Sequence, residues 1–168
     1  PPAADVAAWC ASDCHLPRLA LLGPVAARTR GSAITVARRK PYFTEMLAYL
    51  GLHPKGVTPA KLADTFGIAL GRARTDIMTV RDWLGVNPRT AQMHVPHARE
   101  SQAAKAKGVG VYQVEGLLID LDLFRRLRVR GQARGAAGTV DLRNAMTPVS
   151  GQPFNQLRHS ARPALQTG

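Results

Sequence analysis

The stretch ALGRARTDIMTVRDWLG, residues 69–85, decides how the chain is read. At about 100° per residue, Ala73, Ile77, Val80 and Leu84 fall on one side of a helix, at the spacing of a core-facing stripe. Arg72, Thr75, Thr79 and Asp82 fall on the opposite side, with Arg74 and Arg81 on the flank. So narrow an apolar seam needs a small domain around it. The outward row of guanidinium and hydroxyl groups is either a solvated face or a surface offered to a partner.

Just upstream, GVTPAKLADTFG (56–67) predicts a shorter helix, with Thr58 as N-cap, Pro59 at the first helical position, and Gly67 closing it. Leu62, Ala63 and Phe66 are its expected buried face. Before it, Phe43, Met46, Leu47 and Leu50 follow the i, i+3, i+4, i+7 pattern of a helix ending near Gly51. Further back, Leu19, Leu21, Val25, Ile34 and Val36 alternate around Gly23-Pro24 and Gly31-Ser32, which predicts two or three short strands between about 18 and 38. ARRKP (37–41) is a basic junction. Residues 1–16 carry no sustained period and read as a flexible arm.

Downstream, Gly85 is the expected left-handed helix cap, and Asn87-Pro88 forbids continuation. MHV (93–95) and GVYQVEG (110–116) read as strands flanking PHARESQAAKAKGVG (96–110), a hairpin with a long, mobile, basic tip. From 117 to 157 two helices are expected. Asp120 or Asp122 caps one holding Phe124 and Leu127. Thr139 can cap another holding Leu142, Ala145, Met146 and Val149, which Pro148 must terminate or bend. Residues 158–168 read as a disordered tail.

Among the 168 residues, 23 Lys and Arg face 11 Asp and Glu, a net charge of +12. That excess points to a polyanionic partner, nucleic acid first and an anionic membrane second. No apolar run reaches the roughly 18 residues of a membrane span, and no secretory signal is evident. Two cysteines are too few for a disulfide scaffold, so a reducing, cytoplasmic setting is expected. The chain begins Pro1-Pro2, as a fragment or a processed form would.

Two helices joined by a tight link, the second presenting donors, follow helix-turn-helix logic. A DNA major groove about 12 Å wide admits one helix, and arginine can address guanine through two parallel hydrogen bonds. The segments PRLALLGPVAARTRGSAITVARRK, MLAYLGLHPKGVTPAKLADTFG, RARTDIMTVRDWLG and GVYQVEG together resemble the DNA-binding domain of OmpR/PhoB-type winged helices. The likeness is to the SARP-type regulators of actinobacteria and covers about 17–116. It implies an α+β winged helix-turn-helix: N-terminal short strands, a three-helix core and a C-terminal β-hairpin wing. LIDLDLFRRLRVRGQARGAAGTVDLRNAMTPVSGQPF is similar to the opening helices of a bacterial transcriptional activation domain, here an incomplete helical appendage.

Carried onto this sequence, the resemblance makes Arg72, Arg74, Thr75, Met78 and Thr79 candidate groove contacts. Arg81 is a phosphate contact or an internal ion pair. Asp82 departs from the pattern, since a basic residue is common there, and is expected to pair with an arginine or point away. The hairpin 93–114 becomes the wing, with Arg99, Lys105 and Lys107 meeting phosphates. The expected partner is double-stranded DNA, and RNA polymerase or another regulator would dock on the appended helices. A protein-interaction module built on the same scaffold is the alternative. Oligomeric state is not legible.

Cys10, Cys14 and His15 cluster as CxxxCH, but no second cysteine pair completes the four ligands of a structural zinc site. His94 and His97 flank Pro96 and read as surface residues or weak phosphate contacts. No phosphate loop and no activated nucleophile is recognisable, so no metal, cofactor or catalysis is expected.

Overall fold

The computed structural model describes residues 2–155, and the tail at 158–168 lies outside the described residues. The chain is mixed α+β, with seven α-helices and a few short strands among the described residues. It divides into two compact units, residues 2–28 with 118–155, and residues 29–117. The division at 117/118 coincides with the expected boundary near 117, but the second unit begins at 29 rather than 17, because the first strands belong with the appended helices.

In the first unit, β1 (Arg18–Ala20) pairs antiparallel with β2 (Ala26–Arg28) and parallel with β5 (Leu118–Ile119). Directly after β5, α6 (Asp120–Ala133) begins, and its first carboxylate closes the arrangement. Asp120 is fully buried, and both its oxygens accept from Leu21 N–H at 2.8 and 2.9 Å, while Oδ2 also accepts from Leu22 N–H at 2.8 Å. Burial raises its pKa, opposed by those amides and that of Leu121. α7 (Thr139–Met146) returns alongside α6 and ends before Pro148 rather than bending there, leaving Val149 outside the helix. Arg130 and Arg134 both grip the carboxylate of Asp141 across this pair. A Cβ on Gly138 would lie 1.9 Å from the carbonyl oxygen of Gly131, so the approach of the two helices requires glycine there.

Residues 2–10 are a helix, α1 (Pro2–Cys10), not a loose arm. Alanines at 3, 4, 7 and 8 supply propensity, and Asp5 sits in the first turn. Val6 and Trp9 pack on Leu123, Leu127 and Ala145, which is what orders so short a helix. Asp5 also pairs with Arg126 at 2.9 Å.

In the second unit, α2 (Lys40–Gly51), α3 (Pro59–Phe66) and α4 (Leu70–Leu84) enclose Phe43, Met46, Leu47, Leu50, Leu62, Ile77, Val80 and Leu84. α3 has the expected ends: Thr58 Oγ1 accepts from Lys61 N–H at 3.2 Å, and Gly67 is left-handed at φ +60°. The third strand anticipated near 34–36 does not form. Instead Gly31 N–H donates to Trp83 O at 3.1 Å and Ser32 N–H to Asp82 O at 2.7 Å, satisfying carbonyls that the end of α4 leaves open. A Cβ at Gly31 would meet Asp82 O at 2.1 Å. Gly85 has positive φ but, at φ +76° and ψ −157°, is not the left-handed cap expected. It sends the chain into a hairpin of β3 (Val86–Asn87) and β4 (Gln92–Met93).

Ala91 in that turn has φ +56°, which L side chains adopt at a cost. Ala91→Gly is expected to raise unfolding free energy by about 0.5–1 kcal/mol, read as a higher denaturant midpoint at unchanged slope.

The segments 93–95 and 110–116 meet, with Glu115 N–H donating to His94 O at 2.7 Å, but the β-hairpin expected from them does not form among the described residues: Met93 pairs instead with Val86, and 110–116 contains no strand. Tyr112 also exchanges both backbone bonds with Val57, at 2.7 and 2.8 Å, tying the hairpin leg to the α2–α3 loop. The tip is not a bare mobile loop but carries α5 (Gln102–Lys107). Ser101, fully buried, caps it by accepting from Ala104 N–H and donates its own hydroxyl to Val111 O.

Candidate nucleic-acid interface

α4 owes its orientation to its seam. Ala73, Ile77, Val80 and Leu84 are at most 1% exposed, so the residues on the opposite side of the helix face outward. Arg72, Arg74, Thr75 and Met78 are exposed together, and Met78 is 57% exposed despite being apolar. Thr75 Oγ1 donates back to Gly71 O at 3.2 Å. Thr79 is half-buried, and with Asp82 it borders a shallow cleft of about 240 Å³ against residues 32–36. Asp82 itself is exposed.

The side chain that organises this face is Asp76, which the sequence reading did not single out. Its side chain is 2% exposed and gathers three donors: Arg72 Nε at 2.9 Å to each oxygen, Arg39 Nη2 at 3.1 Å, and Tyr42 OH at 2.7 Å. Burial, and then the Asp76 carboxylate, push the Tyr42 phenol far up, so it stays a donor. The same carboxylate raises the pKa of Arg72. Arg39 also lies 4.7 Å over the Phe43 ring. An arginine held at Nε presents its remaining N–H groups in a fixed plane. The visible signal was Arg72 and Asp76 at i, i+4, with the acid lying between two seam residues.

Arg81 is a correction. It is only 9% exposed, and donates through Nε to Val95 O at 2.7 Å and through Nη2 to Pro96 O at 3.2 Å. Among the described residues it forms no ion pair, and its guanidinium is turned inward onto the carbonyls of Val95 and Pro96 rather than presented on the surface. Arg74, one turn of the seam away, remains exposed. Burial raises the Tyr112 pKa, and Arg74 and Arg81 both pull against that rise, so both lie within electrostatic reach of that ring.

On the tip, Arg99 and Lys105 are exposed. Lys107, also exposed, donates through Nζ to Lys55 O at 2.7 Å, and Gln113 Nε2 donates to Pro54 O at 2.8 Å. These bonds fasten the tip to the α2–α3 loop. His94 is a second correction: it is 1% exposed, with Nδ1 2.6 Å from Glu115 O, and so is not a surface residue. His97 is exposed.

Burial holds the His94 pKa below its ordinary value. The unfolded chain therefore takes up this proton first as pH falls. The stability His94 confers is present above about pH 6.5, and is lost as pH drops from there through the folded-state value. Thermal melts between pH 7.5 and 5 are expected to show this decline, at no more than about 1.4 kcal/mol per pH unit for one proton. A His94→Gln variant should lack that component.

Cys10 is exposed at the end of α1, and Cys14 Sγ lies 3.8 Å from Leu16 O. Among the described residues no group of three His, Cys, Asp or Glu converges as metal ligands would. No helix among them is long and apolar enough to cross a membrane.

Residues 29–117 hold 13 Lys and Arg against six Asp and Glu, so the outward face of α4 sits on a cationic unit. No protein-family model, curated protein or solved structure matches the chain.

Proposed function

We propose that this protein is a sequence-specific double-stranded DNA-binding regulator of transcription. Residues 29–117 act as a winged helix-turn-helix of the OmpR/PhoB type: α3 crosses the backbone, α4 enters the major groove, and the hairpin with α5 serves as the wing. The observation that carries this reading is the outward face of α4. Arg72, Arg74, Thr75 and Met78 stand exposed on a helix whose opposite seam is closed, with Arg72 oriented by a buried carboxylate. Arginine reads guanine edges, and an exposed methionine suits a thymine methyl. Arg99 and Lys105 meet phosphates, with Lys107 beside them in a structural bond.

The test is selection of bound duplexes from a random pool, followed by binding measured over a salt series. A recovered motif with affinity falling steeply with salt supports the reading, each neutralised phosphate adding about 0.9 to the slope. Salt-sensitive binding with no motif would reduce it to general polyanion attachment.

A second reading has its own observation. Val129, Val140 and Met146 of the α6–α7 pair are each more than half exposed. Such apolar residues suit docking of a protein, RNA polymerase or another regulator, and would make residues 29–117 a scaffold. Under that reading no duplex is selected, and substitutions on α4 leave partner binding unchanged.

A further inference from the structure

The geometry points to a binding site for a small organic carboxylate on the open face of the β1–β2 hairpin. Arg18 and Arg28 are directly opposite each other in the antiparallel register, as are Ala20 and Ala26. Residues two apart along a strand share a face, so the two arginines and two alanines form one surface. Leu19 and Leu21 point the other way, into the core. Opposed like charges weaken a strand pair. Among the described residues no carboxylate forms an ion pair with either arginine.

Arg18 sharpens the point. It is only 8% exposed, its Nη1 is held by Trp9 O at 2.7 Å and Ala11 O at 2.8 Å, and its buried Nε has no hydrogen-bond partner. A buried cation compensated only by the carbonyl end of a helix leaves positive potential behind. That potential falls on a cleft of about 390 Å³ walled by Trp9, Arg18, Arg28 and Ser150, with Ala20 and Ala26 among its lining. The alanines make the room, the indole offers an apolar wall, and the arginines supply the charge. A flat apolar body over the alanines, with its carboxylate toward Arg28, uses all three. The volume lies within the range of small-molecule sites, roughly 300–1,000 Å³.

The chain has two tryptophans, so Trp83→Phe leaves Trp9 as its reporter. The full chain carrying that change is titrated with benzoate, benzyl alcohol and inorganic phosphate, following Trp9 fluorescence. Benzoate is expected to give a saturable change, and benzyl alcohol and phosphate none at the same concentrations. Arg28→Gln, at an exposed position, should weaken benzoate about tenfold or more, the worth of a charge-assisted hydrogen bond. Ala26→Leu, also exposed, should block it by filling the floor while retaining both arginines. The inference is overturned if benzoate does not saturate, if phosphate alone matches it, or if a folded Arg28→Gln variant binds as before. None of these outcomes depends on whether the protein binds DNA.

Discussion

Asp120→Ala is expected to cost the unit formed by residues 2–28 and 118–155 about 3–5 kcal/mol of stability. The carboxylate satisfies the amides of Leu21 and Leu22 just past β1, at positions that no other strand covers. Removing it strands buried donors, each worth about 1–3 kcal/mol, and opens a cavity beside fully buried leucines. Asp120→Asn keeps one acceptor oxygen, and should lose roughly half as much. Urea unfolding in the Trp83→Phe background, followed through Trp9, measures both. If the alanine variant is within 1 kcal/mol of the parent, roughly the net worth of an ordinary hydrogen bond, the carboxylate is not the clasp described.

The second large effect concerns the proposed DNA contacts. Arg72→Ala and Arg74→Ala should each weaken binding to a selected duplex by about 1–3 kcal/mol, with little change on unrelated duplexes. Together they should remove most of the preference. Lys105→Ala should instead weaken all sequences alike and lower the salt slope by about 1. Arg81→Ala serves as the control, because its guanidinium is committed to Val95 and Pro96. It should lower stability and leave the salt slope alone. If the Arg72 and Arg74 variants keep full discrimination, α4 does not read bases.

Helices α2, α3 and α4 were legible because each announces itself locally. Thr58-Pro59 and Gly67 bound α3, and the seam of α4 has one unambiguous period. What escaped was set by distant partners. Ile34 and Val36 alternate like a strand, yet the segment is used from Gly31 onward to finish α4, a role decided by residues fifty positions away. Residues 2–10 looked featureless because a nine-residue helix takes its order from Leu123 and Leu127 rather than from its own pattern. At the interface, Arg72 and Arg74 could be placed outward from periodicity alone. The burial of Arg81 could not, since the carbonyls that claim it lie on the hairpin leg. Asp76 was hidden for the converse reason: a carboxylate on a core-facing edge has meaning only once Arg39 and Tyr42 arrive from α2 and its approach.

The fastening of the hairpin tip bears on how recognition would proceed in time. With α5 capped by Ser101 and the Lys107 and Gln113 bonds already closed, the tip has little freedom left to surrender when a partner arrives. Encounter should then resemble the meeting of two rigid bodies, fast and governed by charge, with no slow ordering phase. Cutting the tether with Gln113→Ala should turn that encounter into a gradual one, slowing capture more than it hastens escape.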